Sequence, residues 1–139
     1  NLRKSLQIAH ICPVRYKYIL SKRERGFFMT NEQYYDCIQP YQNACQIMRA
    51  KLEVLNGSLY QKSSVSPIHN IQERIKSKKS IEKKLEKLGH SDSVQNAKDH
   101  LRDIAGIRVI CYFIDDIYNL VNALKRQSEL IFIREKDYI

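Results

Sequence analysis

Between residues 74 and 108 the sequence carries side chains suited to holding phosphate and a hard cation. Arg74 and Lys76 precede Ser77, a helix N-cap type, and Ser80, Lys84 and Lys87 recur at helical spacing beyond it. With Ile81 at zero on a wheel of 100° per residue, Leu85 and Leu88 fall within about 40° of it. Ser80, Lys84 and Lys87 cluster about 60–120° to one side. One flank thus carries a hydroxyl and ammonium groups beside an apolar stripe, and the helix start adds free N–H groups and a positive dipole end. That combination suits a polyphosphate. Asp103 supplies a carboxylate able to hold a Mg²⁺ that bridges phosphates, and Arg108 a guanidinium able to stack on a purine. Residue types alone leave a second reading open, in which the lysines are a solvated face and Asp103 and Arg108 a local ion pair.

The elements that must position these groups follow from periodicity. Thr30 and Gln33 have capping-box spacing. From there Tyr34, Ile38, Tyr41, Cys45, Met48, Leu52 and Leu55 form a helical seam with a 3.5-residue period, suited to packing on the domain or on a partner subunit. Pro40 predicts a kink or a break into two helices, and Asn56-Gly57 a stop. Residues 61–67 read as a polar linker and residues 68–76 as a short strand with Arg74 and Lys76 on one face. Ser77 caps a helix over Lys78–Leu88 with Ile81, Leu85 and Leu88 inward, closed by Gly89. Ser91 or Ser93 opens a further helix with Val94, Ala97, Leu101 and Ile104 inward, ending at Gly106 and placing Asp103 near its end. Residues 107–114 predict a central strand buried on both faces. Asp115 or Asp116 then caps a helix bearing Ile117, Leu120, Val121 and Leu124, and Leu130–Ile133 predicts another strand. The order is α/β.

Charge sharpens the picture. The 139 residues carry a formal net charge of +9. Residues 1–28 contribute +6, residues 29–70 zero, residues 71–88 +4 and residues 89–139 −1. Two basic islands on a neutral body argue for local anion sites more than for a continuous nucleic-acid surface. Residues 1–28 show no sustained period. They read either as a basic arm or as a purine-rich ribosome-binding leader translated ahead of a start at Met29. The cysteines at 12, 37, 45 and 111 form no Cys-x-x-Cys pair, His10-x-Cys12 and Cys37/Cys45 are poor zinc patterns, and free buried thiols are expected. No run approaches the roughly 18 apolar residues of a membrane span. The expectation is a soluble cytoplasmic domain with no membrane contact, divided into a basic segment 1–28, a helical region 29–60 and an α/β region 61–139.

The run from Arg74 through Lys76 and Ser80 to Lys84, then Leu101-Arg102-Asp103-Ile-Ala-Gly106-Ile-Arg108, then Phe113-Ile-Asp-Asp-Ile-Tyr118, resembles the small alarmone synthetases. These are the stand-alone members of the RelA/SpoT-type GTP pyrophosphokinase family, and the resemblance spans roughly residues 30–139. It implies a nucleotidyltransferase-like mixed sheet with flanking helices and an N-terminal helical arm, a homotetramer, and Mg²⁺-dependent transfer of pyrophosphate from ATP to the 3′-hydroxyl of GTP or GDP. Carried over by motif, Arg74 and Arg108 sandwich the adenine, Lys76, Ser80 and Lys84 hold the ATP phosphates, and Asp103 ligates Mg²⁺. Lys76 and Asp103 are the residues most directly implicated in catalysis.

Residue 139 falls where that family continues into a Gly-Tyr-Arg-Ser-type segment for the acceptor guanine and a strand with a second acidic metal ligand. Acceptor binding is therefore expected beyond Ile139, and these residues alone are expected to be inactive. No His-Asp dipeptide marks the hydrolase of longer family members. The competing reading is a catalytically silent ATP-binding or oligomerisation module. A basic nucleic-acid-binding module is more remote, because the charge is segregated into residues 1–28.

Overall fold

The computed structural model describes residues 4–9, 29–61 and 65–137. Helix α1 (Asn31–Tyr60) opens on the expected capping box. Thr30 N–H donates to Gln33 Oε1 at 2.9 Å and Gln33 N–H to Thr30 Oγ1 at 3.1 Å, so two orphan donors are satisfied reciprocally. Ile38, Tyr41, Cys45 and Leu52 of the seam are buried, making it core of this chain rather than a face left for a partner. Neither expected break occurs, because Pro40 and Gly57 both lie inside the helix. Proline forfeits a backbone bond in a helix interior, but Cys37, Ile38, Tyr41 and Cys45 around it are all buried. That burial outweighs the local preference. Asn56, expected to stop the helix, instead accepts from Ile68 N–H at 3.0 Å and donates to Ser66 Oγ at 2.9 Å.

Strands β1 (Lys4–Ala9), β2 (Ile68–Ile75) and β3 (Ala105–Cys111) form a sheet in the order β1-β3-β2. Lys76 N–H donates to Ile104 O at 2.7 Å and Tyr112 N–H to Pro67 O at 3.3 Å, so β2 and β3 run antiparallel. The α/β expectation holds, with a three-stranded antiparallel sheet and four helices among the described residues. β1 was not expected: its alternation, Leu6 and Ile8 half-buried against exposed Ser5 and Gln7, is short and sits in a basic run. Residues 10–28 lie outside the described residues, and with them the choice between arm and leader, His10 and Cys12. β3 is central as expected but buried on one face only: Ile107, Val109 and Cys111 are inside, whereas Arg108 is exposed.

Helix α2 (Lys78–Lys87) is capped by Ser77, whose Oγ accepts from Ser80 N–H at 3.2 Å. Gly89, at φ 75°, closes it in a conformation that other residues enter only with strain. Ile81 and Leu85 are fully buried, but Leu88 is the C-cap and 50% exposed, so it leaves the expected stripe. Helix α3 (Val94–His100) is capped by Ser93 and ends well before Gly106, which lies in β3. Leu101 and Ile104 are buried as expected, but from non-helical backbone beyond the end of α3. Helix α4 (Ile114–Lys125) starts from Phe113 with no side-chain cap, and Asp115 and Asp116 occupy its first turn. There they complement the positive end of the dipole without bonding it. Residues 130–133 form no strand, and Ile131 and Ile133 are 89% and 72% exposed. Strand propensity yields a strand only where another edge offers N–H and C=O groups to pair with.

The chain packs as two compact units. The first comprises Ile8–Ile47 and Glu73–Ile107, with Cys45, Ile81, Leu85, Ile104 and Ile107 among its buried side chains. The second comprises Asn1–Gln7, Met48–Gln72 and Arg108–Ile139, with Leu52, Val109, Cys111 and Leu120 buried. No helix among the described residues is long and apolar enough to cross a membrane.

Cys37, Cys45 and Cys111 are free and buried. Burial, helped by the charge of Asp116, pushes the Cys111 thiol up to about 11. Only the thiolate is nucleophilic. Native protein at pH 8 is therefore expected to alkylate at Cys111 about two decades more slowly than unfolded protein. Timed iodoacetamide labelling read by mass spectrometry checks this, and equal rates would show the thiol to be accessible and ionised.

Candidate functional site

The first unit gathers three of the residues singled out by sequence. β2 ends at Ile75, and the Lys76 N–H···O=C Ile104 bond sets Lys76 beside the segment that carries Asp103. Lys76 Nζ donates to Asp103 Oδ2 at 2.9 Å. Lys84, on α2, donates to Oδ1 of the same carboxylate at 2.8 Å. Lys76 is largely covered (12% exposed), while Lys84 and Asp103 remain open to solvent at 41% and 43%. Partial burial pushes the Asp103 carboxyl up, but hydrogen bonds and charge from Lys84 and Lys76 outweigh it and hold the group below the usual carboxylate range. The local partner of Asp103 is thus a pair of lysines, distant in sequence, and not the Arg108 of the simpler reading.

Ser80 stands in the first turn of α2, where its hydroxyl accepts from Ser77 Oγ at 2.9 Å. The α2 start therefore presents two hydroxyls and the positive end of a ten-residue helix in the unit that holds the lysines. Arg74 is exposed on β2 in this unit. Arg108 belongs to the second unit, exposed on β3, with its Nη2 3.4 Å from Gln7 Oε1. Sequence reasoning missed one contributor. Tyr34 reads as a seam residue, yet its hydroxyl donates to the Lys76 carbonyl at 2.9 Å and fixes the backbone from which that lysine projects. The available signal was generic: a half-buried tyrosine must find a partner for its hydroxyl.

Chemically, two ammoniums and one carboxylate leave the trio at a formal +1, beside a helix start. Such a site takes an anion, and it can take a cation only if the anion brings further ligands. Among the described residues no three acidic, histidine or cysteine side chains gather as a ready-made metal cage. Mg²⁺ fits this donor set in one way, with one hard oxygen from Asp103 and the remainder from phosphates and water, its habit in phosphoryl-transfer sites.

A family profile described as the region found in RelA/SpoT proteins matches residues 73–139, which include every one of these candidate residues except Tyr34. Residues 73–139 thus resemble a RelA/SpoT region. Over 99 residues the chain is 37% identical to the GTP pyrophosphokinase YwaC of Bacillus subtilis, covering 71% of this chain and 47% of that one. A GTP pyrophosphokinase family protein from Streptococcus pneumoniae superposes with a TM-score of 0.65 at 32% identity, over 80% of this chain and 53% of that chain. Small alarmone synthetase 1 from Bacillus subtilis, solved bound to its product pppGpp, also gives 0.65, at 27% identity over 78% of this chain and 55% of its own. The chain is similar in sequence and fold to these proteins, and it spans about half the length of the proteins it matches. The matched stretch contains both β3 and the segment around Asp103.

Proposed function

We propose that the full-length protein is a GTP pyrophosphokinase, transferring pyrophosphate from ATP to the 3′-hydroxyl of GTP or GDP to make (p)ppGpp. The observation that carries this reading is the Asp103 carboxylate bridged by Lys76 and Lys84 beside the capped start of α2, inside the RelA/SpoT region. In the reaction the 3′-oxygen bonds to the β-phosphorus of ATP, the bond to the α,β-bridging oxygen breaks, and AMP leaves with that oxygen. Charge gathers on the transferred phosphates, so the protein's task is neutralisation and alignment. Lys76, Lys84 and the hydroxyl of Ser80 hold the phosphates. Arg74 and Arg108 are assigned to the adenine, and Asp103 to Mg²⁺. When bound, Mg²⁺ supplies Lewis-acid polarisation of the phosphoryl oxygens.

The resemblance puts the acceptor contacts beyond Ile139. Residues 61–139 then act as the donor half of a nucleotidyltransferase-like domain, and a polypeptide of these 139 residues alone binds ATP without releasing product. A cytoplasmic homotetramer completes the proposal; it rests on the family resemblance and on α1 side chains left outward, Tyr35, Ile47 and Val54. The test is incubation of full-length protein with Mg²⁺, labelled ATP and GDP or GTP, read by thin-layer chromatography. (p)ppGpp and AMP in equal amounts are expected. Absence of product with both acceptors would overturn the assignment.

A further inference from the structure

Both oxygens of Asp103 are engaged, and by cations. Lys76 Nζ lies 2.9 Å from Oδ2 and Lys84 Nζ 2.8 Å from Oδ1. The two ammoniums arrive from different segments, the end of β2 and the middle of α2, and each takes a separate oxygen. A divalent cation approaching this carboxylate alone meets an ammonium at whichever oxygen it takes and must share or displace it, and it adds two positive charges to a trio already at +1. A polyphosphate reverses both effects. Its oxygens compete for the ammoniums, which are compact charges with freely rotating donors on flexible stems, and it brings hard ligands of its own.

We infer that Lys76 and Lys84 lock Asp103 against a bare divalent cation, and that a polyphosphate opens the lock by drawing the two ammoniums onto itself. The nature of the nucleotide rests on the pyrophosphokinase reading, whereas the lock rests on the geometry of three side chains. Linkage makes the effect reciprocal: a phosphate ligand that frees Asp103 for the cation is itself held more tightly once the cation is there.

The lock gives Lys84 effects of opposite sign on two ligands. Lys84→Ala removes a phosphate contact, so nucleotide binding weakens. It also frees Oδ1 and takes the trio from +1 to neutral, so binding of a bare cation strengthens. A lysine serving only as a phosphate ligand would produce the first effect without the second.

The experiment uses Mn²⁺ as a paramagnetic substitute, with the free ion followed by electron paramagnetic resonance while full-length wild type, Lys84→Ala and Lys84→Gln are titrated without nucleotide. Both variants are expected to bind Mn²⁺ about fivefold or more tightly than wild type, the lower end of ordinary coupling between ligands. Adding Asp103→Ala to either variant should abolish the gain. Calorimetry with α,β-methylene-ATP at saturating Mn²⁺ should show weaker binding to both variants. Equal or weaker uptake of bare Mn²⁺ by the variants, or a gain that survives loss of Asp103, would overturn the lock. If the analogue binds to no form of the protein, the pyrophosphokinase reading fails, and the bare Mn²⁺ comparison still decides the lock.

Discussion

Lys76→Ala and Asp103→Ala, each made in the full-length protein, are expected to lower (p)ppGpp synthesis by about two to three decades. That is the usual loss when one preorganised contact to a developing anion is removed, directly for Lys76 and, for Asp103, through the carboxylate that would hold Mg²⁺. The two side chains form one ion pair at 2.9 Å and share Lys84 as a neighbour, so the double variant should fall little below the worse single one. Both variants should remain folded. Asp103 is 43% exposed in its pairs with both lysines, although Lys76 itself is 12% exposed, and a pair with one end this open to water contributes about 1 kcal/mol or less to stability. Initial rates by thin-layer chromatography, beside a thermal unfolding curve for each variant, check both halves. Undiminished synthesis by either variant would remove that residue from the site.

Leu85→Ala is expected to destabilise the protein by roughly 2–5 kcal/mol, through lost burial and the cavity left behind. Leu85 is 0% exposed. The expected loss is a large share of the roughly 5–15 kcal/mol that holds an ordinary domain together. Leu88→Ala supplies the internal comparison, because the same helical wheel puts Leu88 on the stripe while the structure leaves it half exposed at the C-cap. Its substitution should change stability by about 0.5 kcal/mol or less, as is usual for surface sites. Urea midpoints at constant m-value measure the pair, and equal losses at the two positions would contradict the burial pattern. Because Lys84 sits beside Leu85, the Leu85 variant should also lose synthesis before it unfolds completely.

What could be read from sequence was whatever depends on neighbours along the chain. The Thr30–Gln33 box and the Ser77 cap are closed within a single turn, and both were legible. The errors came where distant packing overruled a local signal. Pro40 and Gly57 are breakers by propensity, yet α1 runs through both, past Pro40 because Cys37, Ile38 and Tyr41 beside it are buried. Ala97, Leu101 and Ile104 keep a helical spacing of buried positions although the backbone leaves the helix at His100. Burial periodicity alone did not reveal that the Ile104 carbonyl was needed by Lys76. Leu130–Ile133 has the composition of a strand but no ladder here. At the site, residue types and family likeness pointed to Lys76, Lys84 and Asp103. Their mutual bonds, across 19 and 27 residues, were not legible because nothing local encodes which ammonium meets which oxygen.

The hydrogen bond from Tyr34 to the Lys76 carbonyl reaches the RelA/SpoT region from outside it. Residues 73–139 transplanted into a foreign scaffold would carry the lysines and the aspartate but lose the phenol that steadies one of them. The stretch that the family profile matches is thus smaller than the stretch that must be inherited together, and α1 travels with the site as part of its machinery.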